Sequence, residues 1–276
     1  GVSSAASDVY KRQAKRLAAK TILITGASAG IGKAAAEGFA EASAGNIKLV
    51  LAARRLEKLN TLKDQLVSKY PNLEVYPAVL DVSKVDTIEP FLKNLPSEFA
   101  TIDVLVNNAG KALGLDPIGT IEEEDVETMF KTNVLGMIQL TQLVVKDMKK
   151  RNHGDIIQLG SVAGRNPYPG GGIYCATKAA LRSFTHVLRE ELISTKVRVI
   201  EIEPGNVESD EFSLTRFKGD KARAAKVYAN TVPLTQEDIA ELIVFAASRR
   251  ENTVIAETLI FGSDQASAYH IHRDEH

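Results

Sequence analysis

The feature that most constrains the fold is a glycine-rich turn between a short apolar run and a helical segment. The run Thr21-Ile22-Leu23-Ile24 is rich in β-branched residues and predicts a buried strand. Residues 31–44 are rich in Ala, Glu and Lys and predict a helix. Between them lies the sequence Thr25-Gly26-Ala27-Ser28-Ala29-Gly30-Ile31-Gly32. A strand that turns directly into a helix in this way is typical of a sheet with parallel strands.

The glycines of this turn are placed where a phosphate could be bound. Gly26 permits the tight turn out of the strand, whereas Gly30 and Gly32 let a pyrophosphate approach the backbone and let the helix pack closely on the sheet. The first N–H groups of the helix and its positive dipole end also favour an anion. A turn without a ligand is the alternative that this segment alone leaves open. We expect dinucleotide contacts from Gly26, Ser28, Ile31 and Gly32.

Strand and helix signals alternate along the rest of the chain. Further strands are predicted at 47–52, 75–80, 104–106, 156–159, 197–202 and 258–261, with helical segments at 56–66, 85–95, 123–150, 174–195 and 236–248. Apolar strands that are each followed by a helix indicate a parallel sheet covered on both faces. We therefore predict an α/β fold over residues 20–276, a single Rossmann-type, doubly wound domain with a seven-stranded, mostly parallel sheet flanked by helices. Residues 206–231 are rich in charge but weak in periodicity, and we expect a substrate lid there.

Residues 1–19 are predicted to form a flexible leader outside this domain. Their first seven residues are small or polar, and five basic residues follow from Lys11 to Lys20 without an acid between them. Leaders of this composition also occur as organellar transit peptides. Targeting by residues 1–20 therefore stays open beside the cytoplasmic location that we expect.

The composition argues against several classes of partner. A net charge of −1 gives no electrostatic reason for binding to nucleic acid or to an anionic membrane. No apolar run approaches the roughly 18 to 20 residues that a membrane span needs. The single cysteine, Cys175, cannot form an internal disulfide, which fits a reducing compartment. The five histidines share no metal-ligand spacing with acids or with the cysteine, so no metal site is predicted.

The end of the second strand indicates which dinucleotide is bound. A site for NAD(H) usually has a carboxylate here that accepts hydrogen bonds from the ribose 2′-hydroxyl. Here Ala53 is followed by Arg54 and Arg55, and a guanidinium can bond a 2′-phosphate through two parallel N–H groups. Two solvated arginines that open a helix are the alternative. We predict NADP(H), held first by Arg54 and second by Arg55. At the end of the third strand, Asp81 and Val82 are predicted to contact the adenine, although Asp81 could equally cap the next helix.

A tyrosine and a lysine one helical turn apart predict an acid/base pair. Tyr174 and Lys178 share a helix face because their spacing is i, i+4. Proton exchange with an alcohol needs a group whose pKa is near the working pH, whereas free tyrosine titrates near about pH 10. A nearby ammonium stabilises phenolate. We therefore expect Lys178 to lower the pKa of Tyr174.

Two further polar residues are predicted to lie at the same edge of the sheet. Ser161 follows the fifth strand, and ligands of open parallel sheets bind at the carboxyl ends of the strands. Its hydroxyl could hold a substrate oxygen in place. Asn133, in the middle of a long helical segment, is expected to kink the helix and to hold a water near the lysine.

In order and spacing, these segments resemble the short-chain dehydrogenase/reductase family over residues 20–262. The matching segments are Thr25 to Gly32, Asn107-Asn108-Ala109-Gly110, Asn133, Ser161, Tyr174 with Lys178, and Pro204-Gly205. The resemblance implies an oxidoreductase that transfers a hydride between nicotinamide and an alcohol or carbonyl carbon. The implied catalytic tetrad is Asn133, Ser161, Tyr174 and Lys178. The implied cofactor contacts are Asn108, Ala109, Gly110, Tyr174, Lys178, Pro204, Gly205 and Val207.

Three further segments are similar to a narrower group, the NADP-dependent 3-hydroxy acid dehydrogenases, which are also called serine or L-allo-threonine dehydrogenases. They are residues 51–59, 163–169, and 252–256 with 265–267. This resemblance implies oxidation of the 3-hydroxyl of short hydroxy acids, such as serine, allo-threonine or 3-hydroxypropionate, and reduction of the matching carbonyls. Residues 170–172 and 206–210 depart from the group beside the substrate pocket. A broad-specificity carbonyl reductase and a protein that senses NADPH without turnover therefore stay open.

A small carboxylate substrate calls for a cation in its pocket. Arg165 is the first candidate, and Arg182 and Arg216 are the others. The partners that we expect are a small-molecule alcohol or carbonyl compound and, by resemblance, further copies of this chain in a homodimer or homotetramer.

Overall fold

A seven-stranded parallel sheet forms the centre of the structure, a computed structural model that describes residues 4–274. The strands are β1 (Thr21–Thr25), β2 (Lys48–Ala53), β3 (Glu74–Val79), β4 (Val104–Asn107), β5 (Gly154–Leu159), β6 (Val197–Pro204) and β7 (Glu257–Ile260). Their order is β3-β2-β1-β4-β5-β6-β7, and every neighbouring pair is parallel. The order reverses between β1 and β4, and such a switch point opens a crevice for ligands at the carboxyl ends of the strands. The predicted fold class is confirmed.

Helices cover both faces of the sheet. Within the described residues they are α1 (Ser4–Leu17), α2 (Gly30–Ala42), α3 (Leu56–Lys69), α4 (Ile88–Lys93), α5 (Glu123–Phe130), α6 (Met137–Arg151), α7 (Gly172–Glu191), α8 (Asp210–Arg216), α9 (Lys221–Lys226) and α10 (Gln236–Ala247). Alternate residues of β1 bury into opposite layers, because side chains of a strand alternate between its two faces. Ile22 and Ile24 pack in the layer with α2 and α10, and Leu23 packs in the layer with α4 and α6. The core therefore lies on both sides of the sheet and leaves its carboxyl edge for the site.

The prediction of a flexible leader over residues 1–19 is wrong for the part that the structure describes, whereas residues 1–3 lie outside the described residues. Helix α1 occupies most of this segment, and Leu17 is completely buried in the apolar layer beside α2. The Arg16 side chain donates to the carbonyl oxygen of Ser248 at 3.2 Å, and the Gln13 amide donates to its hydroxyl at 3.3 Å. The segment is mostly polar, so its composition gave no sign that Leu17 would pack into the core.

The long helix predicted over residues 123–150 is interrupted. Residues 131–136 form a π-helical turn that separates α5 from α6. At this turn the backbone of Gly136 lies so close to the carbonyl oxygen of Val82 that a Cβ on Gly136 would collide with it. The wider turn therefore sets the helix against the end of β3, at the carboxyl edge of the sheet.

The segment predicted as a lid contains two short helices, α8 and α9. It is fastened to the domain beyond α8, where the Lys218 ammonium lies 2.7 Å from the buried carboxylate of Asp125. Within residues 4–274, no helix combines the length and the apolar character that crossing a bilayer requires.

We predict that Leu17→Ala lowers the free energy of unfolding by about 2 to 4 kcal/mol, because it removes a completely buried side chain and leaves a cavity. Urea unfolding measures the change. Ile193→Ala is the control, since Ile193 is 85% exposed and its truncation should cost less than about 0.5 kcal/mol. Equal stability of the two variants would show that α1 does not belong to the cooperative fold.

Candidate active site

A cavity of about 720 Å³ opens at the carboxyl edge of the sheet, where the switch point lies. Most of the residues predicted from the sequence as site residues line it. They are Gly26, Ser28, Ile31, Arg54, Arg55, Asp81, Val82, Asn108, Ala109, Gly110, Ser161, Tyr174, Lys178, Pro204, Gly205 and Val207. Gly32, Asn133 and Arg165 lie outside this lining. The structure therefore gathers residues from seven separate stretches of sequence around one space.

The glycine-rich turn is locked against the loop that follows β4. Gly26 has φ +67°, and a Cβ there would lie 2.8 Å from the side-chain nitrogen of Asn108. That nitrogen donates to the carbonyl oxygen of Thr25 at 2.9 Å. The Thr25 hydroxyl in turn accepts from the backbone N–H groups of Asn108 and Ala109, both at 3.0 Å. Only glycine fits at Gly26, because the backbone is left-handed and the space for a side chain is already taken.

Basic side chains dominate the end of the cavity beside β2 and β3. Arg54 is exposed there, and Arg55 donates to the hydroxyl of Ser28 at 3.1 Å. Asp81 accepts from the backbone N–H of Ser83 at 3.1 Å and from its hydroxyl at 2.7 Å, and so closes the turn after β3. The alternative that it caps the next helix is wrong, because the N-cap positions that follow are Lys84 and Thr87. Burial opposes ionisation of Asp81, but the Ser83 hydrogen bonds and the charge of Arg54 outweigh it and lower the pKa.

Two charged residues at this end were not anticipated from the sequence. Lys111 is half-buried in the lining, and burial together with the charge of Arg54 lowers its pKa. Glu211, from α8, lies 2.7 Å from the Arg55 guanidinium and 2.5 Å from the Lys58 ammonium. These contacts lower the pKa of Glu211 to about 2. Lys111 follows directly after Asn-Asn-Ala-Gly and could have been suspected, whereas Glu211 has no local signal.

Tyr174 and Lys178 lie together at the other end of the cavity, as their helical spacing predicts. The Lys178 ammonium is 5.9 Å from the centre of the Tyr174 ring and is buried. It donates to the carbonyl oxygen of Leu159, the last residue of β5, at 2.7 Å. Ser161, two residues further along, lines the same space. The phenol, the ammonium and the serine hydroxyl thus share one end of the site.

The electrostatics of the tyrosine differ from the prediction. Burial, followed by the neighbouring Tyr168, raises the pKa of Tyr174 to about 12, and the groups that oppose this rise are Arg216 and Ser161. The expected lowering by Lys178 is therefore wrong for this structure. Burial lowers the pKa of Lys178 itself to about 8, because a desolvated ammonium is disfavoured. The cation that stabilises the phenolate here is Arg216, whose guanidinium carbon lies 5.3 Å from the Tyr174 ring centre.

Asn133 holds the backbone beside the lysine. Its side-chain oxygen accepts from the N–H of Lys111 at 2.9 Å, and its nitrogen donates to the carbonyl of Lys111 at 2.7 Å and to the hydroxyl of Thr177 at 3.1 Å. The π-helical turn places this amide between the loop after β4 and helix α7. A Cβ on Gly110 would lie 3.4 Å from the Asn133 side-chain oxygen and 3.7 Å from the Lys178 nitrogen, so Gly110 faces both side chains. Asn133 therefore orients the backbone around the site, from a position outside the cavity lining.

The three arginines predicted as candidate partners of a substrate carboxylate occupy different places in the structure. Arg165 and Arg182, predicted from the sequence, lie outside the cavity lining and form ion pairs with Glu203 and Glu257. Their guanidinium groups are needed there because buried carboxylates are costly without a partner. Arg216 does line the cavity, where it donates to the Tyr168 hydroxyl at 2.7 Å. Its Nε is shielded from solvent and has no hydrogen-bond partner among the described residues.

A group of buried acids lies beneath the site, between α7 and strands β6 and β7. Glu201 and Glu203 are completely buried, and neither oxygen of Glu201 has a hydrogen-bond partner within residues 4–274. His186, Glu201 and Glu257 each have one possible metal-ligand atom within 4.8 Å of the other two. The spacing of these residues in the sequence could not reveal this proximity. The neighbouring arginines already compensate Glu203 and Glu257, so we interpret the group as an ion-pair cluster. Burial, followed by the neighbouring acids, raises the pKa of Glu201 to about 7.

Comparison with known proteins is consistent with this geometry. Residues 20–217 match the family described as short chain dehydrogenase. An NADP-dependent 3-hydroxy acid dehydrogenase from Schizosaccharomyces pombe is 51% identical over 260 residues, which cover 94% of this chain and 99% of that protein. An NADP-dependent 3-hydroxy acid dehydrogenase from Escherichia coli K12 is 46% identical over 222 residues, 80% of this chain and 86% of that protein. A solved structure of serine dehydrogenase, in its closed form with NADP⁺, superimposes with a TM-score of 0.84 and 42% identity, covering 92% of this chain and 99% of that one.

We predict that Glu201→Gln flattens the pH dependence of stability between about pH 5 and pH 7. Because the folded pKa of Glu201 is about 7 against an ordinary value of 4.5, the folded chain keeps a proton that the unfolded chain releases. Stability therefore falls as the pH rises through this window, by roughly 3 kcal/mol in total. Urea unfolding at several pH values measures the difference. The exposed Glu241 provides the control Glu241→Gln. Parallel curves for the natural chain and Glu201→Gln would contradict the assignment.

Proposed function

The chain belongs to the short-chain dehydrogenase family, and on this basis we propose that it is an NADP-dependent dehydrogenase of short 3-hydroxy acids or β-hydroxy amino acids. It oxidises their 3-hydroxyl group and reduces the matching carbonyl compounds. The observation that carries the proposal is one cavity with two distinct ends: arginines suited to a phosphate at one end, and a tyrosine beside Ser161 and Arg216 at the other.

The residues of the cavity fit NADP(H). At one end Arg54, Arg55 and Ser28 offer donors to a 2′-phosphate, and no carboxylate stands at Ala53 to repel it. Helix α2 begins at Gly30 and presents its free N–H groups to the pyrophosphate. When bound, the nicotinamide accepts the hydride in oxidation and supplies it in reduction. The remaining proposed cofactor contacts are Gly26, Ile31, Gly32, Asp81, Val82, Asn108, Ala109, Gly110, Lys178, Pro204, Gly205 and Val207.

Tyr174 is the proposed acid/base. With its pKa at about 12, the phenol is protonated near neutral pH and can donate its proton to the oxygen of a carbonyl substrate. In oxidation the phenolate takes the proton of the substrate hydroxyl, a direction that nearby cations such as Arg216 favour. The Ser161 hydroxyl holds the same substrate oxygen. Lys178 lies beside the Tyr174 ring, where its hydrogen bond to the carbonyl of Leu159 fixes its position.

We predict that Tyr174→Phe reduces kcat by at least about a thousandfold, since the variant lacks the exchangeable proton. NADPH binding should change by less than about threefold, because the ring and its packing stay. Fluorescence titration measures binding, and absorbance of NADPH measures turnover. Tyr168→Phe, which alters a neighbouring phenol of the same cavity, is the control and should retain most of the turnover. Turnover by Tyr174→Phe at the natural rate would refute the assignment.

Arg216 is the proposed partner of the substrate carboxylate. It lies on α8, in the segment proposed as the substrate lid, and stacks against the rings of Tyr174 and Phe212 at 5.3 and 5.7 Å from their centres. Its Nε has no hydrogen-bond partner among the described residues, so the hydrogen-bonding capacity of the guanidinium is not fully used. Guanidinium binds a carboxylate through two parallel hydrogen bonds, which also fix its orientation. A hydroxy acid held in this way presents its hydroxyl carbon beside Tyr174.

We predict that Arg216→Ala lowers kcat/KM for L-serine or 3-hydroxypropionate by about tenfold to a hundredfold, the usual value of a lost charge-assisted hydrogen bond. A neutral diketone should lose less than the acids do, because it makes no such bond and shares only the loss of the charge that stabilises the Tyr174 phenolate. Arg249→Ala is a matched control, since Arg249 also stacks on a ring, that of Phe245, but lies outside the cavity lining.

The same measurement separates the rival functions. Equal losses for the acid and the diketone, with the diketone as the better substrate of the natural chain, would favour a broad carbonyl reductase. The absence of turnover with every substrate would favour a protein that binds NADPH as a sensor. Assembly into a homodimer or homotetramer stays a prediction that rests on the family resemblance, and a cytoplasmic location stays a prediction from the sequence.

A further inference from the structure

Glu211 forms an ion pair with Arg55, an arginine to which the proposed function assigns the cofactor 2′-phosphate. Its two carboxylate oxygens accept from Arg55 Nη1 at 3.1 Å and from Nη2 at 2.7 Å. The same Nη2 donates to the Ser28 hydroxyl in the glycine-rich turn, at 3.1 Å. This two-point contact is the geometry by which a guanidinium binds a phosphate. A side chain of α8 therefore stands where the 2′-phosphate would be held.

Two anions cannot share this position without a cost. A phosphate monoester carries between about 1.5 and 2 negative charges near pH 7, and it would face the ionised carboxylate of Glu211 across Arg55. Lys58 offers Glu211 a second partner, because its ammonium lies 2.5 Å from Oε1, the oxygen that also accepts from Arg55 Nη1. When a phosphate takes Arg55, Glu211 can keep Lys58 as its partner.

The contact also reaches the substrate end of the cavity through α8. This helix runs from Asp210 to Arg216, so Glu211 lies near its first turn and Arg216 at its last residue. Phe212, next to Glu211, meets the Tyr174 ring edge-on with the ring centres 6.1 Å apart. One short helix therefore contacts the phosphate end and the acid/base end of the cavity.

We propose that the Glu211 carboxylate is an internal competitor of the cofactor 2′-phosphate for Arg55. In the free protein it fastens α8 to the adenosine end of the cavity, and a phosphorylated cofactor displaces it onto Lys58. Glu211 thereby lowers the affinity for NADPH and leaves the affinity for NADH unaffected. This inference rests on the proposed function, which places the 2′-phosphate at Arg54 and Arg55.

The first test compares cofactor affinities. Fluorescence titration of Glu211→Gln should show a dissociation constant for NADPH that is lower by about twofold to fivefold, the usual strength of a half-exposed ion pair, and an unchanged value for NADH. Glu208→Gln is the matched control: it removes one charge from the same segment, and Glu208 forms its hydrogen bonds through backbone atoms. Unchanged or weakened NADPH binding by Glu211→Gln would overturn the inference.

The second test needs no cofactor. Limited digestion of the free protein by trypsin reports access to the lid, whose basic residues include Lys221 and Arg223. Cleavage there should be faster in Glu211→Gln than in the natural chain, whereas Glu208→Gln should match the natural rate. Equal cleavage of the natural chain and Glu211→Gln would contradict the fastening role.

Arg54→Ala separates a failure of this inference from a failure of the proposed function. The proposed function requires Arg54→Ala to weaken NADPH binding far more than NADH binding. If it does, while Glu211→Gln leaves the NADPH constant unchanged, only the competitor role of Glu211 is lost. If Arg54→Ala weakens both cofactors equally, the 2′-phosphate site itself is contradicted and the competitor role is overturned with it.

Discussion

The hydrogen bonds that join β1 to the loop after β4 determine where the rest of the site can be. Thr25 supplies an acceptor to two N–H groups of that loop, and the Asn108 amide returns a bond to the backbone of Thr25. These backbone and side-chain groups need hydrogen-bond partners, because buried polar atoms without such partners destabilise the fold. By satisfying one another they hold the two loops of the switch point at contact distance. The glycine turn can then present its backbone to a ligand, and the Asn133 amide holds the same loop further along, at Lys111.

The sequence was sufficient wherever the signal is local. Strand runs, the glycine spacing and the i, i+4 pair of Tyr174 and Lys178 each lie within a few turns of chain, so their geometry follows from backbone rules. Where the outcome depends on partners distant in sequence, prediction failed. Arg165 was expected in the pocket but pairs with Glu203, and the pKa of Tyr174 rises because burial outweighs the cations around it. The burial of Leu17 likewise depends on a layer assembled from other helices.

Helix α7 borders both the cavity and the acids that pair with Arg165. Tyr174, Lys178, Arg182 and His186 follow one another at intervals of four residues and so share a face. The first two residues meet the cavity, and the last two meet the buried acids of β6 and β7. Ionised acids inside a protein require compensating charges. The acids therefore hold the neighbouring arginines, Arg165 and Arg182, in ion pairs outside the cavity lining.

Helix α8 lies in a segment whose sequence differs from that of the core helices. Core helices repeat apolar residues at helical spacing, whereas residues 206–231 carry many charges and weak periodicity. The contacts of α8 are made by Glu211, Phe212 and Arg216 with side chains of the cavity. Five residues of helix span only about 7.5 Å, so a displacement at the first turn moves the last one too. Charged and aromatic side chains make these contacts, which fits the absence of a continuous apolar stripe on α8.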